Sequence, residues 1–164
     1  MTRVAFILSV ILGTGSLAYG YSQMGLTNLA RWFVVLGILW LLAQWREYYW
    51  FSSLALFALL IAAAFGVWVE FPTIWMLLGA LGGLLGWDLS DFARRLNFAA
   101  STDDILGMER RHLARVGIVA GLGFGLALLS LYIRINRLAF EVAVVLVLLA
   151  VLGLTRLVMG LRKY

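Results

Sequence analysis

Six runs of nearly uninterrupted apolar residues, at about 4–19, 29–45, 48–69, 72–87, 116–133 and 138–159, limit what this chain can fold into. Each comes near the ~17–25 residues that a helix needs to cross a hydrocarbon core. Lipid offers no partners for backbone N–H and C=O groups, and a helix satisfies its own. The runs lack the residue-by-residue alternation of an outer-membrane barrel strand, which argues against strands. Composition agrees. Hydrophobic residues make up 64% of the 164 and charged residues 13%, against roughly 45–50% and about 25% in soluble domains. The sequence therefore predicts one all-α integral membrane domain over 1–164, a polytopic bundle of six transmembrane helices.

The connections are short. Arg46 and Glu47 alone separate the second and third runs, and Glu70-Phe71 leads into Pro72, the sole proline, at a helix start where its missing N–H costs nothing. Arg134-Ile135-Asn136-Arg137 joins the last two runs. Such turns force antiparallel neighbours. The first run, with Arg3 before it and Ser16-Leu17-Ala18 at its end, has the outline of a signal peptide; it is read here as a retained span.

Six spans place both chain ends on one side with the 46–47 turn and the long connection 88–115. That side carries Arg3, Arg46, Arg94, Arg95, Arg110, Arg111, Arg115, Arg156, Arg162 and Lys163, and the other carries Arg31, Arg134 and Arg137. Basic residues mark the inner face, so both termini are expected in the cytoplasm and the host membrane is expected to be the plasma (inner) membrane. The tyrosines, and every tryptophan but Trp40, fall near predicted span ends, as an interfacial belt requires.

Within 88–115, Leu89, Phe92, Ala93 and Leu96 recur at helical spacing opposite Asp91, Arg94 and Arg95, predicting a short amphipathic helix in the headgroup plane. Ser101-Thr102-Asp103-Asp104 supplies a hydroxyl cap and first-turn acids for a second helix. This one should run through Glu109 to Arg115 into span five as a stalk. Asp88 and Asp91 are i,i+3, as are Glu109 and His112, and Glu-x-x-His is a spacing that di-iron bundles use. These four residues are the candidate ligands for a single divalent metal. The competing reading is solvated ion pairing with the neighbouring arginines. Arg94, Arg95, Arg110, Arg111 and Arg115 form a basic collar suited to anionic lipid headgroups, or to docking an acidic partner or a phosphorylated ligand. No separate basic domain suggests nucleic acid.

Glycines mark close helix approach. Gly79 and Gly83 in span four, overlapped by Gly82 and Gly86, and Gly117, Gly121 and Gly125 in span five are small-xxx-small steps. They predict that spans four and five pack together, or that one face forms a homodimer seam. Glu141, with Arg137 at i−4, is read as a structural ion pair.

Chemistry is sparse. There are no cysteines and one histidine, and no span carries a charge at its middle, where proton-coupled transporters place one. No His-Glu-x-x-His or Walker loop occurs. Three function classes follow: a non-enzymatic scaffold or accessory subunit, working through the basic segment or the glycine faces; a homo-oligomeric solute or ion transporter or channel; and a metal-dependent membrane enzyme. The first fits best. No cofactor is expected beyond the single candidate metal.

Overall fold

The computed structural model describes residues 1–96 and 105–132. They form five helices, α1 (Thr2–Gln23), α2 (Thr27–Trp45), α3 (Trp50–Trp68), α4 (Thr73–Leu96) and α5 (Ile105–Tyr132), each long and apolar enough to cross a membrane. The chain divides into two units, Met1–Ala127 and Leu128–Tyr164, and the packing below is that of the first. The run 138–159, the pair Arg137 and Glu141, and the cap at 101–104 lie outside the described residues.

The three turns from α1 to α4 share one construction. Each helix ends with a single residue in the left-handed region: Gly25 (φ 79°), Glu47 (φ 62°) and Glu70 (φ 61°). In each, the next N–H reaches back to a carbonyl in the last helical turn, Leu26 to Tyr21 at 3.1 Å, Tyr48 to Ala43 at 2.8 Å and Phe71 to Gly66 at 2.9 Å. This Schellman arrangement satisfies carbonyls that a helix end otherwise leaves bare, and it reverses the chain within a few residues. The helices therefore run up and down. The start of α1, the end of α2, the start of α3 and the end of α4 meet at what is called here the basal end.

The first helix is the centre. Over half of the membrane-length stretch of α1 is buried, more than in any other described helix. It packs on α4 and α2, and α3 closes against α4. Its small residues make this possible: Ser9, Gly13, Ser16 and Gly20 are all buried. A Cβ added at Gly13 would stand 2.9 Å from the Gly83 nitrogen, and one at Gly82 only 2.5 Å from the Gly13 Cα. The two backbones touch with nothing between them, where van der Waals contact drives helix association in lipid. Gly79 lies under Leu17, and Gly83 also meets Leu59 of α3. Leu17, Trp40, Ala55 and Leu59 are fully enclosed, with Val10 and Met76 beside them.

Three expectations need correction. The glycine face of α4 meets α1, whereas a Cβ added at Gly117, Gly121 or Gly125 of α5 would meet no described atom of another element within 4 Å. A small-residue stripe permits close approach without specifying the partner. The segment after Trp87 is not a separate interfacial helix; it is the last turns of α4, which continues to Leu96. Neither Gly nor Pro interrupts 87–96, and Leu89 and Ser90 are buried in the bundle instead of lying on headgroups. Tyr21, expected in the aromatic belt, is instead enclosed between Phe33 and Phe71, and its hydroxyl donates to the Ala62 carbonyl at 2.8 Å.

Candidate functional site

The polar chemistry of the described residues gathers at the basal end. Beneath it, four side chains from three helices form a directed relay. Trp40 Nε1–H donates to Ser52 Oγ at 2.8 Å, Ser52 donates to Ser90 Oγ at 2.7 Å, and Ser90 donates to Gln44 Oε1 at 2.6 Å. Each hydroxyl thus accepts once and donates once. No buried side-chain nitrogen or oxygen among the described residues lacks a partner. In an apolar interior an unpaired polar atom costs about 1–3 kcal/mol, so a complete relay fixes how α2, α3 and α4 align. Trp40 was the one tryptophan predicted away from a span end, and its burial with a donor role explains that placement.

The residues of the Asp88/Asp91 and Glu109/His112 pairs are all near this end, and they are used separately. His112 Nε2 lies 2.8 Å from Asp88 Oδ2. A carboxylate only accepts, so Nε2–H is the donor of this bond. The His112 ring also stacks on Phe92, with centroids 3.9 Å apart and planes 7° from parallel. Glu109, one turn earlier on α5, reaches α1 instead: Thr2 Oγ1 donates to Oε1 at 2.8 Å, and the Met1 ammonium lies 3.3 Å from Oε2. The Thr2 hydroxyl, aided by that ammonium, holds the Glu109 carboxyl below the usual carboxylate range, against the opposing effect of burial. Asp91 is taken by Arg94 and Arg95, each with a nitrogen at 2.7 Å. The i,i+3 spacing of Glu109 and His112 therefore clamps the start of α5 to α1 and α4 at two points.

As a metal centre this arrangement is short of donors. Asp88 and His112 are spent on each other, and among the described residues no three of His, Cys, Asp and Glu gather. Structural or catalytic sites take three or four protein ligands. A cleft of about 340 Å³ does open here, lined by Asp88, Asp91, Phe92, Arg95, Leu96, Met108 and His112. Of the predicted collar, Arg94, Arg95, Arg110, Arg111 and Arg115 are all exposed, the first two already paired with Asp91.

A second cavity, of about 310 Å³, lies across the basal end between the start of α1, the α2–α3 turn and the end of α4. Thr2, Arg3, Phe6, Ile7, Leu41, Gln44, Trp45, Glu47, Tyr49 and Ala93 line it. Sequence reasoning missed this grouping. Arg3 and Glu47 were legible only as flanking charges, and their meeting depends on α1 standing beside the α2–α3 turn.

Beyond its clamp, α5 is left uncovered by the other described residues. None of its membrane-length stretch is buried, and Ile118, Val119, Leu122 and Leu126 are each more than 60% exposed. No protein-family model, curated protein or solved structure matches the chain.

Proposed function

We propose that the protein is a non-enzymatic scaffold or accessory subunit of the plasma (inner) membrane, with both termini cytoplasmic, in which α5 is the arm that engages a partner. One observation carries this reading: α1 to α4 bury each other, whereas among the described residues α5 is fastened near its start and keeps a membrane-length apolar face open. An open face alone is ordinary for a lipid-facing helix. This one also has Gly117, Gly121 and Gly125 in register, which lets a second backbone approach closely. The exposed Arg110, Arg111 and Arg115 at the foot of the arm suit anionic headgroups or an acidic partner segment. The basal end is assigned to the cytoplasm on the distribution of basic residues.

The test is site-specific photocrosslinking in native membranes. A photoreactive residue at Gly121 should give an adduct of higher mass with a second polypeptide, weakened by Arg110→Glu/Arg111→Glu. The same group at Ile61, an exposed position on α3, should give lipid adducts alone. Adducts at Gly121 confined to the chain's own 138–159 run, or a pattern identical to that at Ile61, would refute the arm.

A further inference from the structure

The basal cavity has the features of a binding site that the arm does not involve. Its volume, about 310 Å³, is within the range of ligand pockets. Phe6, Ile7, Leu41 and Trp45 give it apolar walls. It lies at the level of the exposed Trp45, Tyr48 and Trp50, where aromatic side chains mark the headgroup region. An occupant there is amphipathic.

Three polar groups define its head. Ser90 holds Gln44 by its carbonyl oxygen at 2.6 Å, and Ser90 is itself fixed through Ser52 and Trp40. With Oε1 engaged inside the bundle, the amide NH₂ is the end of Gln44 left for the cavity it lines. Arg3 adds a guanidinium, whose fork matches phosphate oxygens. Glu47 adds a carboxylate on the same rim, its position set by the Schellman turn at φ 62°. Two donors suited to a phosphate and one acceptor suited to a cation thus share one small cavity. A purely anionic head would meet Glu47 unfavourably. A quaternary ammonium would bring Glu47 no N–H.

We propose that this cavity binds a phospholipid whose head carries both a phosphate and a primary ammonium, the phosphate on Arg3 and the Gln44 amide, the ammonium on Glu47, and the acyl region along Ile7 and Trp45. The site does not depend on α5 having a partner.

Native mass spectrometry of the delipidated full chain tests it, with phosphatidylethanolamine, phosphatidylglycerol and phosphatidylcholine of matched acyl chains, and with soluble glycerophosphoethanolamine. The ethanolamine lipid should bind about tenfold more tightly than the other two lipids, the factor expected for one charge-assisted hydrogen bond. Arg3→Gln should weaken all three. Glu47→Gln should erase the preference while leaving phosphatidylglycerol binding equal or stronger. Both side chains are exposed, and the unfolding midpoint of each variant in detergent checks that the bundle is intact. Equal affinities for the three headgroups, a folded Glu47→Gln that retains the wild-type preference, or a folded Arg3→Gln that binds all three as tightly as the wild type would overturn the site. Binding of glycerophosphoethanolamine as tight as that of the lipid would overturn the lipid and leave a soluble phosphoester site.

Discussion

The contact between α1 and α4 makes a sharp prediction at Gly82. Alanine there would put a methyl 2.5 Å from the Gly13 Cα and 2.8 Å from the Ser9 carbonyl oxygen. Ordinary carbon contacts lie at about 3.5–4.0 Å, so the two helices must part by about 1 Å. The atoms in the way are backbone, and no rotamer change can relieve them. A gap of that size forfeits a quarter to a half of each dispersion contact along the seam, and overpacking typically costs about 1–3 kcal/mol. Alanine's better helix propensity returns at most about 1 kcal/mol. With the loss taken at the upper end because a whole helix moves, Gly82→Ala should destabilise by about 2–3 kcal/mol net, roughly 30- to 150-fold in the unfolding constant. Gly15, on the same α1 with nothing within 4 Å, is the control and should tolerate alanine with no loss. Gly13→Ala, whose nearest atoms are the Gly83 nitrogen at 2.9 Å and the Gly82 carbonyl carbon at 3.0 Å, should fall between. Unfolding in mixed micelles, followed by circular dichroism, measures all three. If Gly82→Ala unfolds within ~0.5 kcal/mol of Gly15→Ala, a difference that neighbouring surface substitutions already span, the backbone seam is not what joins α1 to α4.

Further outcomes follow from other parts of the structure. Ser52→Ala removes an acceptor from Trp40 and a donor from Ser90 together, so it should destabilise by about 1–3 kcal/mol in the same unfolding assay; no loss would mean that the relay does not hold the helices in line. Glu70→Gly should stabilise by about 1 kcal/mol, since Glu70 is at φ 61° where glycine has no Cβ penalty; a lower midpoint would mean that the side chain contributes more than the strain costs. The clamp on α5 should be pH-dependent in one direction. The Glu109 carboxyl is held below its unfolded value, so its contribution is present above the usual carboxylate range and is lost as pH falls from that range through its lowered folded value. Spin labels at Val119 and Ile38 should show a distance distribution that broadens on acidification in the wild type and is already broad at neutral pH in Glu109→Gln. Phe92→Ala, which removes the ring beneath His112, should broaden it at every pH.

How much of this was legible depends on the range of the interaction. The membrane class and the existence of α1 to α5 were open to reading because apolar length is a local property. Helix ends were less so: hydrogen bonding carried α4 past Trp87 to Leu96, since nothing in that stretch breaks a helix. The Glu109–His112 spacing correctly placed both residues at the start of one helix, yet their partners, Thr2 and Asp88, come from distant positions that no spacing encodes. The same holds for Ser52, Ser90 and Gln44, which looked like terminal polar residues and form one relay. Ser9, Gly13, Ser16 and Gly20 did carry a signal, small residues at i, i+4, i+7 and i+11 on one face of α1. It was overshadowed by the denser glycines of α4 and α5.

That the innermost helix precedes the helices it packs against in the chain bears on how the protein is assembled in the cell. The ribosome releases α1 well before α4, the helix it packs against most closely, and at about 5–20 residues per second the interval lasts seconds. During it the groove that α4 will fill faces lipid or the insertion machinery. Two hydroxyls of α1 are already provided for: Ser9 donates to the Ala5 carbonyl at 2.8 Å and Thr14 to the Val10 carbonyl at 2.7 Å, both within the helix itself. A nascent α1 can therefore stay in the bilayer with these groups satisfied, holding a vacant glycine track until the later hairpin arrives to close over it.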